Sequence, residues 1–292
     1  FFKQLNAVYR KKNKTSMLIA EESTAWPMVT GDIKDGSLGF DYKWNMGWMN
    51  DFLEYQKCDP YFRKYNHNKM TFSMTYAYSE NYILVISHDE VVHLKKSMLE
   101  KMPGSDEQKF ANLKAAYAFM LGHPGKKLLF MGQEFGERRE WSEARELDWA
   151  SLNDPRHEGL KEYVGQLLTM YNKYPALYGM DDTWDGFQWI NANDGDRSIF
   201  SFVRYSPSKR NNLLFVINFT PVDRPDYRVG VPKKKRYTKI LSTKAPEIGG
   251  AADPEPVIYQ ATASECDGQP YSIGYPLPGY GVAVLSSDNR FF

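Results

Sequence analysis

Three clusters of polar residues each follow a short apolar run, and each has the residue types of acid-base or hydroxyl-binding chemistry. The first is Ala20-Glu21-Glu22-Ser23-Thr24, directly after Met17-Leu-Ile-Ala20. Neighbouring residues on a strand point to opposite faces, so at most one of the two glutamates continues the inward direction of the run. The other positions neighbours from the loop; the alternative is a pair of solvated carboxylates. The second cluster is Ser87-His88-Asp89-Glu90-Val91-Val92-His93, after Tyr82-Ile-Leu-Val-Ile86. Its histidines, aspartate and glutamate are all possible metal ligands. Histidines at i and i+5 on a helix, however, diverge by ~140° at ~100° per residue, which argues against a shared metal. Two readings remain: a carboxylate and an imidazole bonding one polyhydroxylated substrate, or Asp89 capping a helix beside a buried His88. The third cluster is Phe130-Met-Gly-Gln-Glu-Phe-Gly136, followed by Arg138-Arg-Glu-Trp141 and Leu147-Asp-Trp149. Gln133 can bond hydroxyls or brace the structure, and Glu134 reads as a brace. Between the first two clusters, Trp44 and Trp48 stand at i and i+4, placed either to stack on consecutive sugar rings or to pack together in the core.

These clusters need a scaffold that brings strand ends together. From Thr15 to about Leu177, short apolar runs alternate with helical stretches, the pattern of βα units and a parallel sheet. Strands are expected at Met17–Ala20, Gly39–Lys43, Tyr82–Ile86 and Lys127–Met131. Helices are expected at Met46–Lys57, Lys69–Tyr78, Glu107–Leu121 and Gly159–Tyr174, the third with one buried face through Phe110, Leu113, Ala116, Tyr117 and Met120. In such a sheet reactive groups gather where the strands end, because the βα loops open there. Phe1–Lys12 reads as the second half of an amphipathic helix with Phe2, Leu5, Val8 and Tyr9 on one face, so the chain is expected to begin part-way through an element.

After Pro175 the texture changes to strand-length runs at Phe187–Asn191, Ser198–Arg204, Leu213–Phe219, Tyr237–Leu241 and Tyr280–Leu285. Turn signals separate them at Asn193-Asp-Gly195, Asn211-Asn212, Val222-Asp-Arg-Pro225 and Gly249-Gly250. This predicts two domains: an α/β domain over 1–177 and an all-β sandwich over 178–292. The basic run Lys233-Lys-Lys-Arg236 reads as an exposed turn that protects an edge strand, with Asp223, Asp226 and Glu247 nearby diluting its charge.

Composition narrows the partner. With 292 residues, 42% hydrophobic and 25% charged, the chain is globular, and its net charge of +1 lacks the basic footprint of a nucleic-acid binder. No apolar run is long enough to span a membrane. Two cysteines, Cys58 and Cys266, make no disulfide scaffold, and a reducing cytoplasmic setting is expected. Aromatic residues reach 15%, which suits sugar rings, whose apolar faces stack on aromatic planes while their hydroxyls need hydrogen bonds.

Read together, the motifs resemble the glycogen (1,4-α-glucan) branching enzymes of the α-amylase superfamily. The resemblance rests on Leu18–Thr24, Gly39–Met49, Ser87–His93, Gly125–Phe135 and Glu140-Trp141, in the family's order, and on Asn218-Phe-Thr-Pro221 in the β region. It implies a (β/α)8 barrel, of which this chain would hold strands five to eight, followed by a β-sandwich C-terminal domain. It also implies retaining chemistry on α-glucan and an α-1,6 branch as product. By motif match Glu21 is the acid/base and Asp89 the transition-state stabiliser. His88 lies beside them on the sugar, and Trp44, Trp48, Gln133 and Trp141 complete the substrate-binding candidates. No cofactor and no metal are implied.

One departure matters. The family's nucleophile is an aspartate in a Gly-x-Arg-x-Asp-Ala strand upstream of the acid/base, and neither that motif nor the earlier strand's Asn-His pair is found ahead of Glu21 in this sequence. The chain is therefore expected to be the C-terminal piece of such an enzyme, inactive unless an N-terminal half is supplied as partner. Competing expectations are a non-catalytic α-glucan-binding fragment and a hydrolysing or debranching relative.

Overall fold

The computed structural model describes residues 1–244, Ile248 and 257–287. The expected turn at Gly249-Gly250, and Glu247 beside the basic run, lie outside the described residues. The first part is built on a four-stranded parallel sheet in sequential order: β1 (Ile19–Ala20), β2 (Tyr42–Trp44), β3 (Tyr82–Ile86) and β4 (Lys126–Leu129). Tyr42 pairs with Ile19, Lys43 with Tyr82, and Ile83 with Lys126, so all four strands end on one edge of the sheet. Glu21, Asn45, Ser87 and Phe130 are the first residues past those ends.

Around this sheet lie α1 (Phe2–Lys12), α2 (Met46–Lys57), α3 (Asn68–Thr71), α4 (Met98–Lys101), α5 (Asp106–Gly122) and α6 (Pro155–Lys173). Their boundaries follow local chemistry. Asn45 caps α2 by accepting from the Trp48 amide at 2.9 Å, Ser105 and Gln108 form a reciprocal capping box on α5, and Asp154 with Pro155 opens α6. The helix expected over Lys69–Tyr78 is shorter: one turn of α-helix, then the tighter 3-10 winding of Phe72–Thr75.

Two expected helix faces are corrected. α1 forms, but Phe2, Leu5 and Val8 are exposed, and Asn6 is its buried residue. The helix docks through polar bonds instead. Lys3 and Asn6 donate to the carbonyls of Gly36 and Leu38, and Arg10 pairs with Asp41 at 2.7 Å. α5 has no single buried face, because it is enclosed almost all round from Asn112 to Gly122. It lies between α6 and the second sheet, and a helix enclosed by protein needs apolar residues on every side.

The second part has a six-stranded antiparallel sheet in the order β10-β9-β12-β7-β6-β5, with a two-stranded pair of β8 and β11. The strands are β5 (Phe187–Asn191), β6 (Ile199–Arg204), β7 (Asn212–Asn218), β8 (Arg228–Val231), β9 (Arg236–Ser242), β10 (Ile258–Gln260), β11 (Tyr271–Gly274) and β12 (Val282–Ser287). Phe200, Phe202, Leu213, Phe215 and Ile217 face α5, and Ile199, Val203, Leu214 and Val216 face the β8–β11 pair. Both faces of the central strands are thus dry, which is why β7 carries the unbroken run Leu213–Ile217 rather than an alternation. The basic run lies on the turn between β8 and β9, and Lys233, Lys234 and Arg236 are exposed. The strand it precedes is second from the edge, not the edge strand expected, because β10 pairs outside it.

Two buried arginines fasten the parts together. Arg63 donates to the Phe219 carbonyl at 2.7 Å, and Arg204 donates to the Gly122 carbonyl at 2.8 Å while pairing with Asp181 at 2.6 Å.

Candidate active site

The parallel sheet gathers the candidate carboxylates on one edge. Glu21 follows β1 and Asp89 follows β3, with β2 between them, so their backbones stand about two strand spacings, or ~10 Å, apart. Long side chains can span that gap around a bound ring.

The two adjacent glutamates have different surroundings. Lys43 on β2 donates to Glu22 at 2.5 Å, and the Thr24 amide donates to it at 2.6 Å. Partial burial pushes the Glu22 carboxyl up, but those bonds outweigh it and hold Glu22 below the usual carboxylate range. Glu22 is therefore ionised at neutral pH and engaged. Glu21 is exposed and, among the described residues, makes no ion pair. It is the glutamate whose carboxylate stays open to solvent.

The segment 87–96 is not a helix. It is a chain of turns, so neither the capping role for Asp89 nor the helical divergence of His88 and His93 applies. Asp89 and His88 are each about half exposed and approach each other at 3.2 Å. Glu90 does the internal work instead: its carboxylate accepts from the Ser87 amide at 2.5 Å and the Ser87 hydroxyl at 2.7 Å. The turn thus folds Glu90 inward and leaves His88 and Asp89 on the open side. Among the described residues, no three His, Cys, Asp or Glu side chains come together as a metal site.

Trp141 joins this edge from a distant loop. Its amide donates to the Val91 carbonyl at 2.8 Å, and its ring stands edge-on to His88, centroids 5.7 Å apart, and to Phe130 at 5.3 Å. These three rings, His88, Phe130 and Trp141, make a part-exposed aromatic corner beside Asp89. Phe130 opens the third cluster, and β4, ending at Leu129 rather than at the expected Met131, makes it the first residue past the strand.

Two substrate-binding candidates are corrected. Trp48 is 2% exposed and stacks on Phe52 at 4.6 Å within the core, so no sugar can reach it. Gln133 is 4% exposed and donates to the Ile86 carbonyl at 3.3 Å, a brace between strand ends. Trp44 is half-buried and lines a cavity of about 600 Å³ with Glu22, Trp26, Asp51, Phe72 and Tyr76. Trp26, well exposed, is a further ring the sequence reading passed over.

Comparison with known proteins fits this geometry. The alpha amylase C-terminal all-beta domain family matches residues 189–288. The chain is 54% identical over 285 residues to the 1,4-alpha-glucan branching enzyme GlgB of Butyrivibrio fibrisolvens, covering 98% of this chain and 45% of that protein. This chain belongs to the 1,4-alpha-glucan branching enzyme family. The branching enzyme of Geobacillus stearothermophilus is 46% identical over the same length, again with 45% of that protein covered. The chain therefore spans a little under half the length of these branching enzymes. Among solved structures, the alpha-amylase from H. orenii superposes with a TM-score of 0.63 at 16% identity, over 98% of this chain and 56% of that one. AmyP, solved in complex with maltose, gives 0.67 at 13% identity, over 99% and 62%. These likenesses show an α-amylase-type fold.

Proposed function

We propose that residues 1–177 are strands five to eight of a (β/α)8 barrel, that 178–292 are the C-terminal β domain, and that the chain serves in glucan branching. In this reading an α-1,4-glucan is cleaved with retention and its chain passes to a 6-hydroxyl, forming an α-1,6 branch. The observation that carries it is that Glu21, Asp89, His88 and Trp141 lie on one edge of a parallel sheet, with Glu21 free of the ion pair that occupies Glu22.

The roles are those that the family resemblance implies for these positions. Glu21 protonates the departing glycosidic oxygen while a nucleophilic carboxylate takes the anomeric carbon as a glycosyl ester. Glu21, now ionised, accepts the proton of the incoming 6-hydroxyl as that oxygen displaces the ester. Asp89 stabilises the positive charge on the ring between these states, and His88 and Trp141 hold the sugar. Retention requires nucleophile and acid/base oxygens ~5–5.5 Å apart. None of Asp32, Asp35, Asp41 or Asp59 stands in the nucleophile's sequence context, so the proposal assigns the nucleophile to the N-terminal part of the enzyme. The substrate is an α-glucan such as glycogen, and the setting is cytoplasmic.

The test compares this chain alone, the chain mixed with the N-terminal half of a branching enzyme, and the same mixture carrying Glu21→Gln. Branch linkages are counted after debranching. New α-1,6 links should form in the mixture, not with the chain alone, and should collapse with Glu21→Gln. Robust branching by the isolated chain would refute the assignment of the nucleophile. Undiminished branching by Glu21→Gln would refute the acid/base role.

A further inference from the structure

A second cavity, of about 520 Å³, lies behind the site loop, between α2 and the turns that follow β3. Its polar lining is four lysines, Lys57, Lys95, Lys96 and Lys101, with Asn50 and one carboxylate, Glu90. Glu90 is already engaged by Ser87. Among the described residues, Lys57, Lys95 and Lys96 make no ion pair, so four lysines face one carboxylate in the cavity lining.

The loop is built to hold that arrangement. The Lys101 ammonium, 5% exposed as a residue, donates to the carbonyls of Glu90 at 2.5 Å and Lys96 at 2.6 Å, and to that of Lys95. From the other side, the Glu140 carboxylate accepts from the amides of Leu94 at 2.9 Å and Lys96 at 2.7 Å. Leu94 and Lys96 both adopt left-handed backbone, φ 64° and 63°, a conformation that costs a non-glycine residue roughly 1–3 kcal/mol where the surroundings enforce it. Two charged side chains are thus spent on backbone bonds that keep Lys95 and Lys96 side by side on the cavity rim. Burial first, and then the charge of Lys57, push Lys101 down to about 8, against the opposing pull of Glu90 and Glu140.

We propose that this cavity binds a phosphate monoester carried on a sugar. Lysine ammoniums are compact point charges suited to a phosphoryl dianion. The apolar floor of Met49 and Leu53 offers a face to a pyranose ring, and the Asn50 amide offers both a donor and an acceptor to its hydroxyls. The size falls in the range of small-molecule sites. The site shares the 87–96 loop with Asp89, but neither Asp89 nor His88 lines it, and it does not depend on the branching assignment.

Isothermal titration of this chain at low ionic strength tests it with three probes: glucose 6-phosphate, inorganic phosphate and glucose. Glucose 6-phosphate should saturate one site, inorganic phosphate should bind at least ~10-fold more weakly, and glucose should give no heat at the same concentrations. Lys95→Met/Lys96→Met, which changes exposed side chains only, should weaken glucose 6-phosphate at least ~10-fold. Lys233→Met/Lys234→Met, removing the same charge from the distant basic turn, should leave it unchanged. The proposal is overturned if glucose 6-phosphate does not saturate, if inorganic phosphate binds as tightly, or if the two double variants behave alike. Because no glucan is turned over, the result is independent of the branching test.

Discussion

The two sheets of this molecule are covered to different degrees. In the antiparallel sheet every residue of β6 and β7 is buried, one face against α5 and the other against the β8–β11 pair. In the parallel sheet only β3 approaches that state. Ile19 on the flanking β1 is 45% exposed, and all four residues of β4, on the opposite flank, are half-buried; these are the two strands beside which the rest of the proposed barrel would close, the chain spanning under half the length of its relatives. The residues able to do chemistry all lie on the thinly covered sheet. Stability and reactivity are thus divided: an enclosed strand cannot admit a substrate, and an edge loop that can admit one contributes little to the core.

Substitution tests whether that division is real. The largest effect is expected from Glu21→Gln in the reconstituted enzyme: a fall in branching of roughly 10²–10⁴-fold with the urea midpoint unchanged, since Glu21 is exposed. A stability loss that accounts for the activity loss would erase the distinction between the regions. Next come two tryptophans, one buried and one part-exposed. Trp48→Ala should cost about 3–5 kcal/mol by urea unfolding, as for other large core rings, while Trp141→Ala, part-exposed, should cost far less but weaken maltooligosaccharide binding. Equal destabilisation by the two would show that the aromatic corner is core rather than surface.

The same division explains what could be read from sequence. All four parallel strands and the two longest helices were legible, because Tyr82–Ile86 or Phe110–Met120 carry enough apolar residues for their period to be decisive. The strand-end positions of Glu21 and Asp89 follow directly from the strands. Burial on a second side was not legible. Trp44 and Trp48 have the same spacing signal, yet one lines a cavity and the other fills the core, and the choice is made by Phe52 and by elements far along the chain. Likewise α1 has an apolar stripe that the fold leaves exposed, since Lys3, Asn6 and Arg10 find carbonyls and a carboxylate on the other side. Strands β8, β10 and β11 were missed because three or four residues with a glycine or polar members carry no clear alternation. Which of the two readings of 87–96 holds was not legible either, because the inward hydrogen bonds of Glu90 and Lys101, which fold it as turns, join residues with no periodic spacing.

A smaller effect lies in the seam between the regions. His123, buried at the end of α5, has its Nδ1 2.9 Å from the Pro124 carbonyl and its Nε2 2.8 Å from the Ser73 hydroxyl. Nδ1–H donates to the first, and Nε2 accepts from the second, so the ring is neutral. Burial pushes it down to about 3. Below pH ~6.5 the unfolded chain takes up a proton that the native ring refuses, so stability falls as pH drops from ~6.5 towards 3, by at most ~1.4 kcal/mol per pH unit. His67, also held low by burial, adds in the same direction. Urea midpoints at pH 7 and pH 5 should differ less in His123→Leu than in the wild type. Equal differences would mean that the seam does not sense acid through this ring.

The smallest expected effects come from two helix caps, one in each setting. Ser105 caps α5, which is gripped on all sides, and Asn45 caps α2 at the edge of the candidate site. Removing either cap should cost about 0.5–2 kcal/mol, but the consequences should differ. Ser105→Ala lies beside a helix locked by packing, so the loss should appear only in the urea midpoint. The Asn45 Oδ1 accepts from both the Trp48 amide and, at 3.4 Å, the Tyr76 hydroxyl, and Asn45 follows Trp44 directly. Asn45→Ala should therefore also loosen Trp44, read as faster quenching of tryptophan fluorescence by acrylamide. If both variants leave quenching alike, the parallel edge is as rigidly held as the antiparallel core, and the proposed division between a stable sheet and a reactive one fails at its boundary.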